Sequence, residues 1–137
     1  MPAVLDAAAV AAYRRDGIHF PLRVFSAAEA AVMLGRLEAI EAAHGGYLPA
    51  RINQKPHLLF PWLNEMIREA RILDAVEDVL GPDILCWSAQ FFTKNANDPS
   101  YVSWHQDGTY WGLSSPDVVT AWVAFTPSTI ESGCMRA

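Results

Sequence analysis

His105 and Asp107, separated by Gln106 and preceded by Trp104, are the residues of this chain best placed to do chemistry together. In extended backbone alternate side chains share a face, so an imidazole at position i and a carboxylate at i+2 reach one point in space. Those two donors are two-thirds of the two-histidine, one-carboxylate triad that holds non-haem Fe(II) and leaves positions open for oxygen and substrate. A second histidine would complete the set, and none follows Asp107 before Ala137. The others are His19, in an apolar extended stretch, His44, at a helix C-terminus where a partly charged imidazole is favourable, and His57, in a loop. Each reads as structural rather than ligating. Gln106 points to the opposite face of an extended segment and takes no part in a metal shell.

The spacing alone is unspecific. Four histidines and 15 acidic residues in 137 positions give about 0.4 His-x-acidic pairs by chance. The plain alternative is a surface histidine at a strand end beside a solvated aspartate. Trp104, Tyr110 and Trp111 crowd the pair and favour a lined pocket, although each aromatic taken singly fits core packing as well.

The elements around the pair can be read from local signals. Asp6 can cap a helix over residues 7–15 that stops near Gly17, followed by a short extended segment over 18–24. Ser26 with Glu29 forms a capping box for a helix to about Ala43, with apolar residues Ala30, Met33, Leu34, Leu37 and Ile40 at helical spacing. Gly45 and Gly46 end it, and a loop over 47–61 carries Lys55 and His57. Leu63, Met66, Ile67 and Ala70 mark a helical face that continues through Leu73, Val76, Val79 and Leu80 to Gly81-Pro82. Beyond Gly81 the pattern alternates and predicts strands over 84–94, 101–107 and 118–126, with turns at 95–99 and 127–133. Helices over about 1–81 followed by strands over about 82–137 predict a single domain of α+β class.

Composition bounds the rest. A chain of 137 residues can bury one core, and its 52% apolar content is raised by alanine rather than by any run near the roughly 20 residues of a membrane span. The first 16 residues carry charge in the reverse order of a secretory signal. Two cysteines, Cys86 and Cys134, without such a signal suggest free thiols and a cytoplasmic location. A net charge of −5 argues against nucleic acid as the main partner.

Several motifs in order resemble the phytanoyl-CoA dioxygenase family. They are Phe91-Phe92-Thr93-Lys94, Trp104-His105-Gln106-Asp107, Tyr110-Trp111, Thr120-Ala121-Trp122-Val123-Ala124 and Glu131-Ser132-Gly133-Cys134-Met135-Arg136. Arg15-Asp16-Gly17 and Leu80-Gly81-Pro82-Asp83-Ile84 fit upstream, so the resemblance runs from about Tyr13 to the last residue. It implies an Fe(II)- and 2-oxoglutarate-dependent oxygenase on a double-stranded β-helix, a cupin-like jelly roll, with His105 and Asp107 as iron ligands. It also implies a co-substrate side formed by Gln90, Trp122 and Lys55, with Tyr110 and Trp111 lining the substrate pocket. The carboxylate at position 107 favours hydroxylation over halogenation, which in this fold goes with a small residue there. A distal histidine and a 2-oxoglutarate-gripping arginine follow later in the family, so the chain is expected to be an N-terminal part that is inactive alone. Strands cut off from their partners would then expose backbone and associate or aggregate. The reading from a different class is a non-catalytic small-molecule binding or interaction module built around the aromatic cluster.

Overall fold

The computed structural model of the chain describes residues 4–137. Its first half is helical, and the helices begin and end where short-range chemistry places them. Helix α1 (Ala7–Asp16) starts at Asp6, whose carboxylate accepts from the Ala9 N–H at 2.8 Å. It closes at Gly17, which takes φ +76° and donates its N–H to the Tyr13 carbonyl. Helix α2 (Ala27–Ala43) opens on the capping box: the Glu29 N–H donates to Ser26 Oγ at 3.2 Å, and the Ser26 N–H donates back to Glu29 Oε2 at 2.7 Å. A four-residue α3 (Ala50–Asn53) and a 3₁₀ turn (Pro56–Leu58) follow. The face read from sequence as continuous from Leu63 to Leu80 is two helices, α4 (Pro61–Met66) and α5 (Ala70–Leu80). Glu69 makes the break, because its carboxylate accepts from the Arg71 N–H and starts α5 afresh.

Side chains distant in sequence tie these helices together. Asp78 on α5 accepts the N–H groups of both Val4 and Leu5, at 2.8 and 2.6 Å, and so anchors the segment before α1. Arg71 donates to Glu29 at 3.0 Å and to Glu69 at 2.9 Å while its guanidinium lies 4.7 Å from the Phe25 ring centroid. The start of α2 and the start of α5 are thereby held together. Among the described residues the buried apolar ones are few: Leu5, Leu37, Ile52, Pro56, Leu63 and Ala75, and His57 is buried as well. Burying a side chain such as Leu63 contributes about 1.5–3 kcal/mol. No helix among the described residues is long and apolar enough to cross a membrane.

The α+β jelly roll expected from sequence is not what the chain forms. Residues 84–94, 101–107 and 118–126 are not strands, and no strand, sheet or barrel occurs among the described residues. The physical reason is that alternation along a segment fixes which way side chains would face, whereas a strand exists only when a neighbour in register takes its N–H and C=O groups. Backbone bonds after Gly81 are instead local, as in Ile84 to Pro82, Asp98 to Asn95, Val118 to Pro116 and Cys134 to Thr129. A last short helix, α6 (Gly108–Trp111), interrupts this irregular half.

What holds the irregular half to the helices is side-chain chemistry. The Asn53 amide at the end of α3 donates to the Phe91 carbonyl at 3.0 Å and accepts the Phe91 N–H at 2.6 Å, standing in for one rung of a β-ladder. Trp62, Phe91 and Phe125 form a triangle with centroids 6.2, 6.3 and 6.2 Å apart, and Arg36 of α2 sits 5.7 Å from the Trp62 ring. Such aromatic pairs each add about 0.5–1.5 kcal/mol beyond area burial. Further along, Lys94 donates to the Ser100 carbonyl at 2.6 Å, and its alkyl stem occupies the space beside Gly133.

Two outcomes follow from these ties. Asn53→Ala strands both Phe91 backbone groups and should lower unfolding free energy by about 1–3 kcal/mol, read as a reduced urea midpoint with faster amide exchange at Phe91. Glu29 is held far below the usual carboxylate range, at about 2, chiefly by the Arg71 guanidinium and then by the Ser26 N–H. Its folded pKa lies below the unfolded one. The stabilisation is therefore present above the ordinary carboxylate pKa and is lost as pH falls towards 2. Glu29→Gln should flatten the pH dependence of the urea midpoint between about pH 5 and about pH 2. Because the pair is exposed, added salt should shrink the effect in the wild-type chain.

Candidate functional site

His105 and Asp107 do meet, but not by alternation along a strand. Asp107 has helical backbone angles, φ −54° and ψ −45°, and leads into α6, where the Thr109 N–H bonds the Gln106 carbonyl and the Tyr110 N–H bonds that of Asp107. Gly112, at φ +61°, closes the helix. The resulting turn brings His105 Nε2 within 3.1 Å of Asp107 Oδ1. It also changes the place of Gln106. Instead of facing away, Gln106 lines the same open concavity of ≈ 520 Å³ as Trp104, His105, Thr109 and Tyr110.

Each atom of the pair that does not face its partner has another hydrogen bond. His105 Nδ1 lies 2.7 Å from the Ser103 carbonyl, a group that only accepts, so the geometry assigns the proton to Nδ1. Asp107 Oδ2 accepts from the Thr120 hydroxyl at 2.7 Å. In the neutral histidine Nε2 therefore presents a lone pair towards a carboxylate oxygen. Two acceptors facing each other at this distance require something positive between them, either a proton or a metal cation. The Ser103 carbonyl, and after it the Asp107 carboxylate, raise the His105 pKa above its ordinary value, which is the proton-bound form of this arrangement.

The same spacing can be set beside that of two metal ligands. Two neighbouring ligands of an octahedral ion at about 2.1 Å each lie about 3 Å apart, which matches the His105–Asp107 separation. An imidazole with a carboxylate suits Fe(II). No group of three or more His, Cys, Asp or Glu side chains gathers among the described residues, so His19, His44 and His57 do not complete a triad. His44 Nδ1 is taken by the Ile40 carbonyl at 2.7 Å, His57 is buried, and His19 is exposed.

The remaining residues singled out from sequence fall into separate groups. Tyr110, 73% exposed, stands edge-on to His105 with centroids 6.0 Å apart, which puts it beside the pair. Trp111 stacks on Trp87 at 4.9 Å, and the Lys55 ammonium sits 5.4 Å from the Trp87 ring. Lys55 and Trp111 thus both pack on the Trp87 ring. Lys55 itself holds left-handed backbone, φ 52°, at the entry to the 3₁₀ turn. Trp122 packs on Phe92 at 5.0 Å, and Gln90 is exposed; neither lines the concavity at His105. Thr120, Ser103 and Trp87 were not assigned a role from sequence. For Thr120 the only available signal was its place in the Thr120-Ala121-Trp122 motif, since a contact across 13 residues leaves no local pattern.

His105 supplies a direct check. In a histidine NMR titration its pKa should lie above that of an exposed histidine. Asp107→Asn should lower it only in part, because the larger contribution comes from the Ser103 carbonyl. A proton between Nε2 and Oδ1 excludes a metal there, so Co(II) affinity should rise as pH climbs through that pKa and then level off. A pH-independent affinity would contradict a shared position for proton and metal.

Comparison with known proteins gives one finding. The family model described as phytanoyl-CoA dioxygenase (PhyH) matches residues 1–137, the whole chain. No curated protein and no solved structure matches it.

Proposed function

The chain belongs to the phytanoyl-CoA dioxygenase family, a group of Fe(II)- and 2-oxoglutarate-dependent dioxygenases, and we propose that His105 and Asp107 are its iron ligands in the hydroxylation of a small organic substrate. The observation that carries the proposal is the convergence of His105 Nε2 and Asp107 Oδ1 at 3.1 Å on one exposed turn. Fe(II) with 2-oxoglutarate supplies oxygen activation coupled to conversion of the keto acid to succinate. The chain's own residues do the holding. The Ser103 carbonyl fixes the tautomer that leaves Nε2 free to ligate, and the carboxylate offers Oδ1. With a carboxylate at position 107 there is no vacated ligand position for a halide, which favours hydroxylation.

Trp104 and Tyr110 line the open concavity beside the pair. Tyr110, beside His105, and Trp111, stacked on Trp87, are assigned to the substrate pocket. Lys55 supplies a cation for a carboxylate of the co-substrate, and its stack through Trp87 onto Trp111 couples it to the helix that follows Asp107. Gln90 and Trp122 are assigned to the co-substrate side on the family resemblance. No third His, Cys, Asp or Glu side chain joins the pair among the described residues.

The test, in a protein that also supplies the second histidine, is succinate formation from 2-oxoglutarate with Fe(II) and oxygen. His105→Ala and Asp107→Ala should each reduce it more than about 100-fold, since removing a ligand costs more than removing the groups that orient it. Lys55→Ala should act differently, raising the KM for 2-oxoglutarate with a smaller change in kcat. A folded chain whose melting temperature is indifferent to Fe(II) and 2-oxoglutarate would point instead to the non-catalytic binding module.

A further inference from the structure

We infer that residues 84–137 form an interface through which two copies of this chain associate. The first observation is one of area. A folded monomer of 15.1 kDa exposes about 7,100 Å², whereas this chain exposes 10314 Å². The excess is about 3,200 Å². The shortfall in burial falls on the irregular half, because every buried residue among the described ones precedes Gly81.

The second observation is chemical. Residues 84–137 hold nine of the fifteen aromatic residues but only six of the 25 charged ones. A surface rich in rings and poor in charge has the composition of an interface core rather than of a solvated face. Some of the exposed rings have other work: Trp104 and Tyr110 line the concavity at His105, and Phe92 packs on Trp122. Leu85, Tyr101 and Ile130, each 85% exposed, and Val102 lie outside both groupings. These four are the residues assigned to the contact.

The occupant that suits this surface is a second copy. Its charged residues, Lys94, Asp98, Asp107, Asp117, Glu131 and Arg136, leave a formal net charge of only −2. A nucleic acid or an anionic lipid headgroup would find two cations there, and a strongly charged protein would find no complement. A two-fold contact sets the patch against itself, which brings apolar groups together and little like charge. Area decides in the same direction. If each copy covers a third of its excess, the contact buries about 2,000 Å² in total, where obligate homodimer interfaces begin.

The experiment is sedimentation velocity on the full chain across the micromolar range, with no metal or co-substrate added. A single larger species of twice 15.1 kDa should form reversibly and resist added salt. Tyr101→Ser and Ile130→Ser should each weaken the dimer by about tenfold or more, and together they should leave a monomer. Val32→Ser, at an exposed position of helix α2, should leave association unchanged. Hydrogen exchange gives a second reading that needs no variant. Amides within 84–137 should exchange more slowly as concentration rises, and those of α1 and α2 should not.

A monomer at every concentration would overturn the inference. So would a ladder of ever larger species, since a two-fold contact closes at two. A dimer that keeps wild-type affinity in the double variant, or that protects helix amides instead, would place the contact elsewhere and overturn it as well. None of these results bears on His105 and Asp107, whose test is turnover.

Discussion

Two hydrogen bonds between the Asn53 side chain and the backbone of Phe91 clamp the helical half of this molecule to the irregular half after Gly81. Backbone outside a helix needs partners for its N–H and C=O groups, and when no strand supplies them a side-chain amide is the nearest chemical substitute. The clamp brings Phe91 to Trp62, and Phe125 completes the triangle, so two irregular segments are seated on α4 together. The stack of Lys55, Trp87 and Trp111 makes a second junction, from the 3₁₀ turn to α6. The placement of the turn bearing His105 and Asp107 depends on these few contacts rather than on a sheet. With few apolar residues buried among the described ones, each junction carries a large share of the order in the second half.

Helix boundaries were legible in the sequence because the signals that set them act over three or four residues. Asp6 before Ala7, Ser26 three residues before Glu29, and Gly17 and Gly81 at helix ends each correspond to a hydrogen bond or a positive φ in the structure. The break between α4 and α5 was harder to see, since the apolar spacing runs on across it while Glu69 caps a new helix. The strands were misread for a different reason. Alternation in 84–94 and 118–126 describes side chains, whereas pairing depends on a partner elsewhere, and local pattern says nothing of whether one is present.

The proposed site shows the same division. The pairing of His105 with Asp107 could be read from two residue types at a short spacing, and the structure brings them together through a helical turn instead of extended backbone. That change of backbone carried Gln106 into the concavity from which alternation had excluded it. The links from Thr120 to Asp107 and from Lys55 to Trp87 span 13 and 32 residues, and no periodicity reports them. Short-range chemistry was readable here, and the long-range contacts that give it direction were not.

Gly133 illustrates what this means for a molecule held by side chains. A methyl group at that position would lie 2.9 Å from Lys94 Cδ and Cε, and the backbone there has φ +76°, so the empty space is the seat on which Lys94 rests. Lys94 in turn holds the Ser100 carbonyl at the end of the 95–100 loop, directly before the segment that reaches His105. An absent side chain near position 133 thus leaves room for a contact made some thirty positions earlier. A side chain there would push the flexible end of Lys94 aside and give up its hold on the Ser100 carbonyl before any backbone had to move.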